Sequence, residues 1–225
     1  MSTRSALTGH LIQSATIVLG VLVALVLGSM WEYLGDRLRE GEYEAGLLQE
    51  FNNAHLELAA DQAARDTILE RTERLLDPTF SGTLHPDSLP PYLATIVDFR
   101  FFTPSHPVLE DLIAGGKLDL LQSDALRSAI LRYVQERDRL EVVEERERRF
   151  VSEQVEPYLV RTLMVSLRPE DELYFSTGTE EFEAMLRGRE FRTLMALRWD
   201  RTDLARRFAT GLGFRIADVI EALGG

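Results

Sequence analysis

Residues 11–30 read LIQSATIVLGVLVALVLGSM, twenty positions without a charged side chain. Wound as a helix they span about 30 Å, the thickness of a bilayer's hydrocarbon core. Eleven of the twenty are Leu, Ile or Val, and together they contribute on the order of −3 to −7 kcal/mol to insertion. Gln13, Ser14, Thr16 and Ser29 oppose this, but they lie towards the ends, where polar groups cost less. Trp31 and Tyr33 follow at once, where interfacial anchors would sit. The stretch is read as an uncleaved transmembrane helix over 11–31, preceded by a tail over 1–10. A buried core helix competes with this reading, although an uncharged run of this length is unusual in soluble folds. So does a cleaved signal peptide, against which stand a single Arg4, an apolar run longer than the usual signal core, and no small-x-small site ahead of a polar start.

Within the span Thr16, Gly20, Ala24 and Gly28 recur every four residues and share one ridge. Small residues there let a second helix approach closely, which favours lateral association in lipid. Orientation is nearly a tied vote between Arg4 before the span and Arg37 and Arg39 after it. Read as an ordinary signal-anchor, the chain leaves its N-terminal tail in the cytoplasm and exports the rest, which places a single-pass protein in a bacterial inner membrane with a periplasmic C-terminal domain.

The remainder is acidic. All 37 Asp and Glu and 24 of the 25 Lys and Arg follow the span, which leaves −13 outside it, and Lys117 is the single lysine. Such a charge keeps a domain soluble and repels anionic lipid. With no basic run, it also speaks against nucleic acid as a partner. The chain has no Cys, which excludes disulfides, zinc–thiolate sites, iron–sulfur clusters and cysteine nucleophiles.

Residues 32–76 read as a juxtamembrane stalk and first bundle helix. Leu47, Phe51, Ala54 or His55, Leu58, Gln62, Ile68, Thr72 and Leu75 follow a three-four spacing. Gly35, Gly41 and Gly46 each cost about 1 kcal/mol relative to Ala, so the stalk is expected to bend there, and Asp77-Pro78 to end the helix. Residues 77–225 form the rest of the helical domain. A short helix is expected over 91–101. Another starts at TPSHP and stops at Gly115-Gly116, and a longer one opens behind Ser123. Pro157 should kink or end that helix. Thr177-x-x-Glu180 reads as a capping box, Gly188 as an interruption, and a final helix reaches Leu223. No segment alternates with period two, so no sheet is expected. The fold class is all-α: an N-terminal transmembrane helix and an antiparallel, coiled-coil-like helical bundle.

Chemistry is hard to find. His10, His55, His85 and His106 fall in no metal-binding spacing. There is no nucleophile elbow and no S-x-x-K with its partners. Gly115-Gly116-Lys117 lacks the spacing of a phosphate loop and reads as a helix stop. The acid clusters Glu144-Glu145, Glu170-Asp171-Glu172 and Glu180-Glu181 adjoin arginines or open helices, and are taken as solvated faces and caps. No cofactor, metal or catalytic residue is assigned, and the chain is read as a non-enzyme. Phe99, Phe101 and Phe102 are the densest apolar feature outside the span, either core or a groove for a partner.

Two stretches carry a resemblance: GVLVALVLGSMWEYLGDRLREGEYEAGLLQEF and LEDLIAGGKLDLLQSDALRSAILRYVQ. Through Gly20, Ala24, Trp31, Leu112, Gly116, Lys117, Leu118, Leu126, Arg127 and Tyr133, they resemble an uncharacterised family of bacterial single-pass membrane proteins, a domain of unknown function. The chain departs from that pattern at Gln13, where an acid is usual, and at Gly115, where a Ser is usual. The resemblance covers about sixty residues. It implies a membrane anchor and a helical domain and carries no activity. Two functions are expected on this basis: a membrane-anchored interaction or scaffold protein that binds itself or a membrane partner, or a membrane-tethered sensory bundle that holds a ligand between helices.

Overall fold

The computed structural model describes residues 3–81, 90–163, 165–167, 173–175 and 179–224; of the side chains in residues 3–36, those of Leu27, Met30 and Trp31 are described. The fold is all-α. Helix α1 (Thr3–Leu76) is followed by α2 (Pro78–Ser81), α3 (Pro90–Val97), α4 (Pro107–Ala114), α5 (Asp124–Phe150), α6 (Glu156–Thr162), α7 (Thr179–Arg187) and α8 (Arg189–Ala222). One expectation is overturned: β1 (Val165–Leu167) and β2 (Leu173–Phe175) pair antiparallel, with Ser166 opposite Tyr174. Three-residue strands are too short to show the alternation that announces a sheet. Thr177 of the expected capping box lies outside the described residues.

Helix α1 runs unbroken through all three glycines. Its neighbours there are mostly good helix formers, which offset the local cost. The helix stops before Pro78, where the Asp77 carboxylate accepts the Thr79 amide at 2.8 Å. Among the described residues no helix is long and apolar enough to cross a membrane. The side chains of Thr16, Gly20, Ala24, Gly28 and Tyr33, on which the expected association face and half of the expected anchor rest, lie outside the described residues.

The chain divides into two compact units. The first comprises Met1–Leu47 and Pro107–Ser123. In it Gly46 admits Val108 closely: a Cβ there would lie 2.9 Å from Val108 Cγ2. Buried Glu40 accepts the Gln122 amide at 2.6 Å. Helix α4 ends in a Schellman turn, with Lys117 N bonded to Leu112 O (2.8 Å) and Gly116 N to Ile113 O (3.2 Å). Lys117 Nζ then reaches both Asp111 oxygens at 2.9 Å, and the Tyr43 hydroxyl donates to the same carboxylate at 2.8 Å. Gly116 has φ +62° and open space around it, so Gly116→Ala meets only the left-handed backbone penalty. We expect a loss of about 1 kcal/mol in amide protection at the end of α4, and a smaller loss for Asn. Hydrogen exchange of the Gly116 and Lys117 amides measures this; an unchanged rate would show that the turn does not hold the helix end.

The second unit comprises Leu48–His106 and Asp124–Gly225. Its frame is the 48–76 part of α1, α5 and α8. Phe51 meets Tyr133 and Arg65 meets Glu147, so α1 and α5 run parallel. Arg206 lies 3.8 Å from Asp66, and Arg192 donates to Leu76 O at 2.8 Å, so α8 is antiparallel to both. The bundle is therefore not wholly antiparallel. Pro157 does not end its helix: a π-helical stretch, Val151–Val155, joins α5 to α6, with Pro157 in the first turn of α6. The wide turn accommodates the missing N–H and the ring's clash with the preceding turn. At that end Leu75, Leu93, Ile96, Tyr158, Phe182 and Phe191 close one apolar core.

Candidate functional site

Three candidate systems, two polar and one aromatic, lie within the second unit. The most deeply buried joins all three long helices. Arg65 and Arg198 are fully buried, and Glu144 and Glu147 nearly so. Arg65 donates to Asp61 (2.7 Å), Glu144 (2.5 Å) and Glu147 (3.0 Å). Arg198 pairs with the other oxygen of Glu147, and the Thr202 hydroxyl sits 2.9 Å from that same oxygen. This corrects the reading of Glu144-Glu145 as a solvated pair: Glu144 turns inward, while Glu145 faces Arg148 and Arg149 outside.

Arg198 also donates to the Thr202 hydroxyl at 2.6 Å, and further bonds of the network go to backbone. Arg198 donates to the carbonyls of Ile96 (3.0 Å) and Asp98, and Arg65 to that of Arg100 (3.2 Å). The Phe102 amide donates to both Glu144 oxygens at 3.2 Å. Residues 98–106 are not helical, so their peptide groups need partners from elsewhere. The buried charges supply them and fix this segment against α5. Burial pushes the Glu144 carboxyl up to about 7, outweighing Arg65 and the Phe102 amide. Burial also works against the Arg65 charge, but the Asp61 hydrogen bond and the fields of Asp61, Glu147 and Glu144 more than offset it, so its pKa is raised. Outside, the Arg148 hydrogen bond holds Glu145 down at about 2.

The second system is His106, read from sequence as a turn residue and found buried. Its Nε2 lies 2.6 Å from the Tyr133 hydroxyl and its Nδ1 3.7 Å from Glu50 Oε2, with the Phe51 ring 5.2 Å from its own. Burial, with Arg137 adding, pushes the imidazole down to about 4, and burial raises the Tyr133 hydroxyl above its usual range. The hydroxyl therefore keeps its proton and the imidazole is neutral, and the ring's tautomer decides which of the two donates across the 2.6 Å contact.

The third is the phenylalanine segment. Phe102 is buried, Phe99 half-buried and Phe101 38% exposed, its ring edge-on to that of Phe99 at 5.9 Å. Phe101 and Phe102 border a depression of about 410 Å³ whose other wall is Arg137, Glu141, Glu144 and Glu145. The two rings thus divide between core and rim. A carboxyl near neutrality beside such a depression could act as an acid or base. Here its oxygens are already taken by Arg65 and the Phe102 amide. Among the described residues no group of three His, Asp or Glu side chains is placed to hold a metal ion.

Of the other expected site residues, Trp31 is 76% exposed. His55 is exposed, and His85 lies outside the described residues. Sequence reasoning missed Arg65, Arg198 and Thr202, although a signal was present: each stands where the three-four stripe of its helix calls for an apolar side chain. No family model, no curated protein and no solved structure matches the chain.

Proposed function

We propose that this chain is a membrane-tethered helical interaction protein, non-enzymatic, anchored through residues 11–31 in a bacterial inner membrane with its acidic helical domain in the periplasm. One observation carries the reading. The twenty uncharged residues 11–30 belong to an unbroken helix, and the described side chains at their end, Leu27, Met30 and Trp31, are 50%, 54% and 76% exposed. Apolar side chains left uncovered along a helix call for lipid or another protein. The ridge Thr16, Gly20, Ala24, Gly28 suits lateral self-association in the bilayer. The resemblance of the two quoted stretches to a family of single-pass membrane proteins agrees with this.

The test is fractionation of lysed cells by ultracentrifugation. We expect the full-length chain in the pellet, resistant to alkaline carbonate and released by detergent; unprocessed chain in the supernatant would overturn the tether. A C-terminal alkaline phosphatase fusion should be active, which an active cytoplasmic reporter would contradict. In mild detergent the protein mass should exceed the 25.6 kDa of one chain, and Gly20→Leu with Gly28→Leu should reduce it. A second reading, a tethered bundle that binds a small ligand, draws on the depression beside Phe101 and Phe102. A metabolite that raises the thermal midpoint in wild type but not in Phe101→Ala would favour it.

A further inference from the structure

Helices α5 and α8 lie antiparallel, with Arg198 against Glu147 and Gly211 close to Glu136. Along their seam run two open depressions of about 580 and 430 Å³ that share Arg146. Together they run from Gln135 on α5 to Gln154 in the π-helical stretch that continues it, about 28 Å at the helical rise. That is the length of a helix of some nineteen residues. The floor is apolar: Val142, Val143 and Phe208 in one half, Phe150, Leu194 and Leu197 in the other. Val142 in the first depression and Leu197 in the second are 52% and 42% exposed.

The rim is basic in an acidic protein. Arg139, Arg146, Arg149 and Arg201 line it, against Asp138 and Glu153, in a chain of net charge −12. Arg139 and Arg149 are occupied by Glu136 and Glu145. Arg146 and Arg201 form no ion pair with a described residue. The Arg201 guanidinium is held over the Phe150 ring at 4.5 Å, and its Nε is buried without a hydrogen-bond partner. The contact with the ring holds the cation at the lining of the depression without neutralising its charge. Arg146 and Arg201 thus place two cations beside the apolar lining, with Glu141 and Glu145 on the outer side of Arg146.

We propose that the α5–α8 groove is a docking site for an acidic amphipathic helix of a partner protein, with its apolar stripe on Val142, Phe150, Leu197 and Phe208 and its carboxylates on Arg146 and Arg201. This is helix-in-groove recognition, in which an apolar face gives affinity and rim charge gives specificity. The inference rests on the reading of the chain as an interaction protein, and names the chemistry of its partner. A basic helix is disfavoured by the arginines, and so is a second copy of α5 laid parallel on the first, which would set Arg146 against Arg146.

The test uses the full chain in zwitterionic nanodiscs, with empty discs as the blank. The probe is a fluorescein-labelled, stapled helix of eighteen residues, with leucines and one photo-leucine along one face and glutamates on its flanks. A second probe carries lysines in place of the glutamates. We expect the Glu-flanked helix to bind at least tenfold more tightly than the Lys-flanked one, to weaken with salt, and to crosslink to residues 135–154 and 194–208. Arg146→Glu with Arg201→Glu should weaken it tenfold or more. Because loss of the Phe150 stack could loosen the fold, Arg146→Gln alone, with an unchanged circular-dichroism melt, should weaken it severalfold. Absence of binding to the wild type, equal binding of the two helices, crosslinks elsewhere, or an Arg146→Gln variant that binds as well as wild type would each overturn the proposal. Any of these, in a chain still found in the carbonate-washed pellet, would leave the tether standing and remove the groove alone.

Discussion

Glu147→Ala is expected to lower the stability of the second unit by about 3–5 kcal/mol. Glu147 gives one oxygen to Arg65 at 3.0 Å and the other to Arg198 and Thr202. Without it Arg65 keeps Asp61 and Glu144, but Arg198 keeps two carbonyls and a hydroxyl and no counter-charge, in a fully buried position. An uncompensated buried cation is the costly outcome; the intact pair itself contributes little beyond its own desolvation. Glu145→Ala, two residues away on the outer side of α5, breaks only the pairs with Arg148 and Arg149 and should cost far less. Pulse proteolysis across a urea series measures both. Equal, small losses would show that the network is not what closes the bundle.

The second large effect is a dependence on pH that the intact protein conceals. Glu144 has a folded pKa of about 7 against 4.5 for the free side chain. Its contribution is therefore full below pH 4.5 and is lost as pH rises through 7. It faces Arg65, Asp61 and Glu147. His106 has a folded pKa of about 4 against 6.5, so its contribution is full above pH 6.5 and is lost as pH falls through 4. It faces Glu50, Tyr133 and Arg137. Between pH 4.5 and 6.5 the two slopes oppose each other and nearly cancel, and stability there should be almost flat. Glu144→Gln should unmask a rise of about 2 kcal/mol over that window, and His106→Gln a fall of similar size. Denaturant midpoints at pH 4.5, 5.5 and 6.5 read both. Two variants that tilt the same way would contradict the burial of one of these groups.

The three long helices show how far periodicity reaches. Leu47, Phe51, Ala54, Leu58, Ile68, Thr72 and Leu75 are all buried, as their spacing requires, and so are Leu126, Ile130, Leu140 and Val143, and Phe191, Met195, Ala205 and Leu212. In each helix the stripe passes through polar positions: Arg65 in α1, Glu144 and Glu147 in α5, Arg198 and Thr202 in α8. Hydropathy alone treats such a position as a gap, and the expected first stripe passed through Gln62 instead. That the gaps fall at one level of the bundle, and that their charges are opposite, depends on how the helices are set lengthwise.

By itself the sequence determined the helical class, the stops at Asp77-Pro78, Gly115-Gly116 and Gly188, and the apolar faces, because capping, proline sterics and the 3.6-residue period act within a few residues of each other. It also supplied the uncharged stretch on which the proposed tether depends. Tertiary structure alone decided that α1 and α5 run parallel, that Arg65 and Arg198 support the peptide groups of 98–102, that His106 is sealed against Tyr133, and that Arg146 and Arg201 flank one trough. Each of these joins residues some thirty to one hundred positions apart. Their energies come from burial and charge at distances that exist only once the helices have packed.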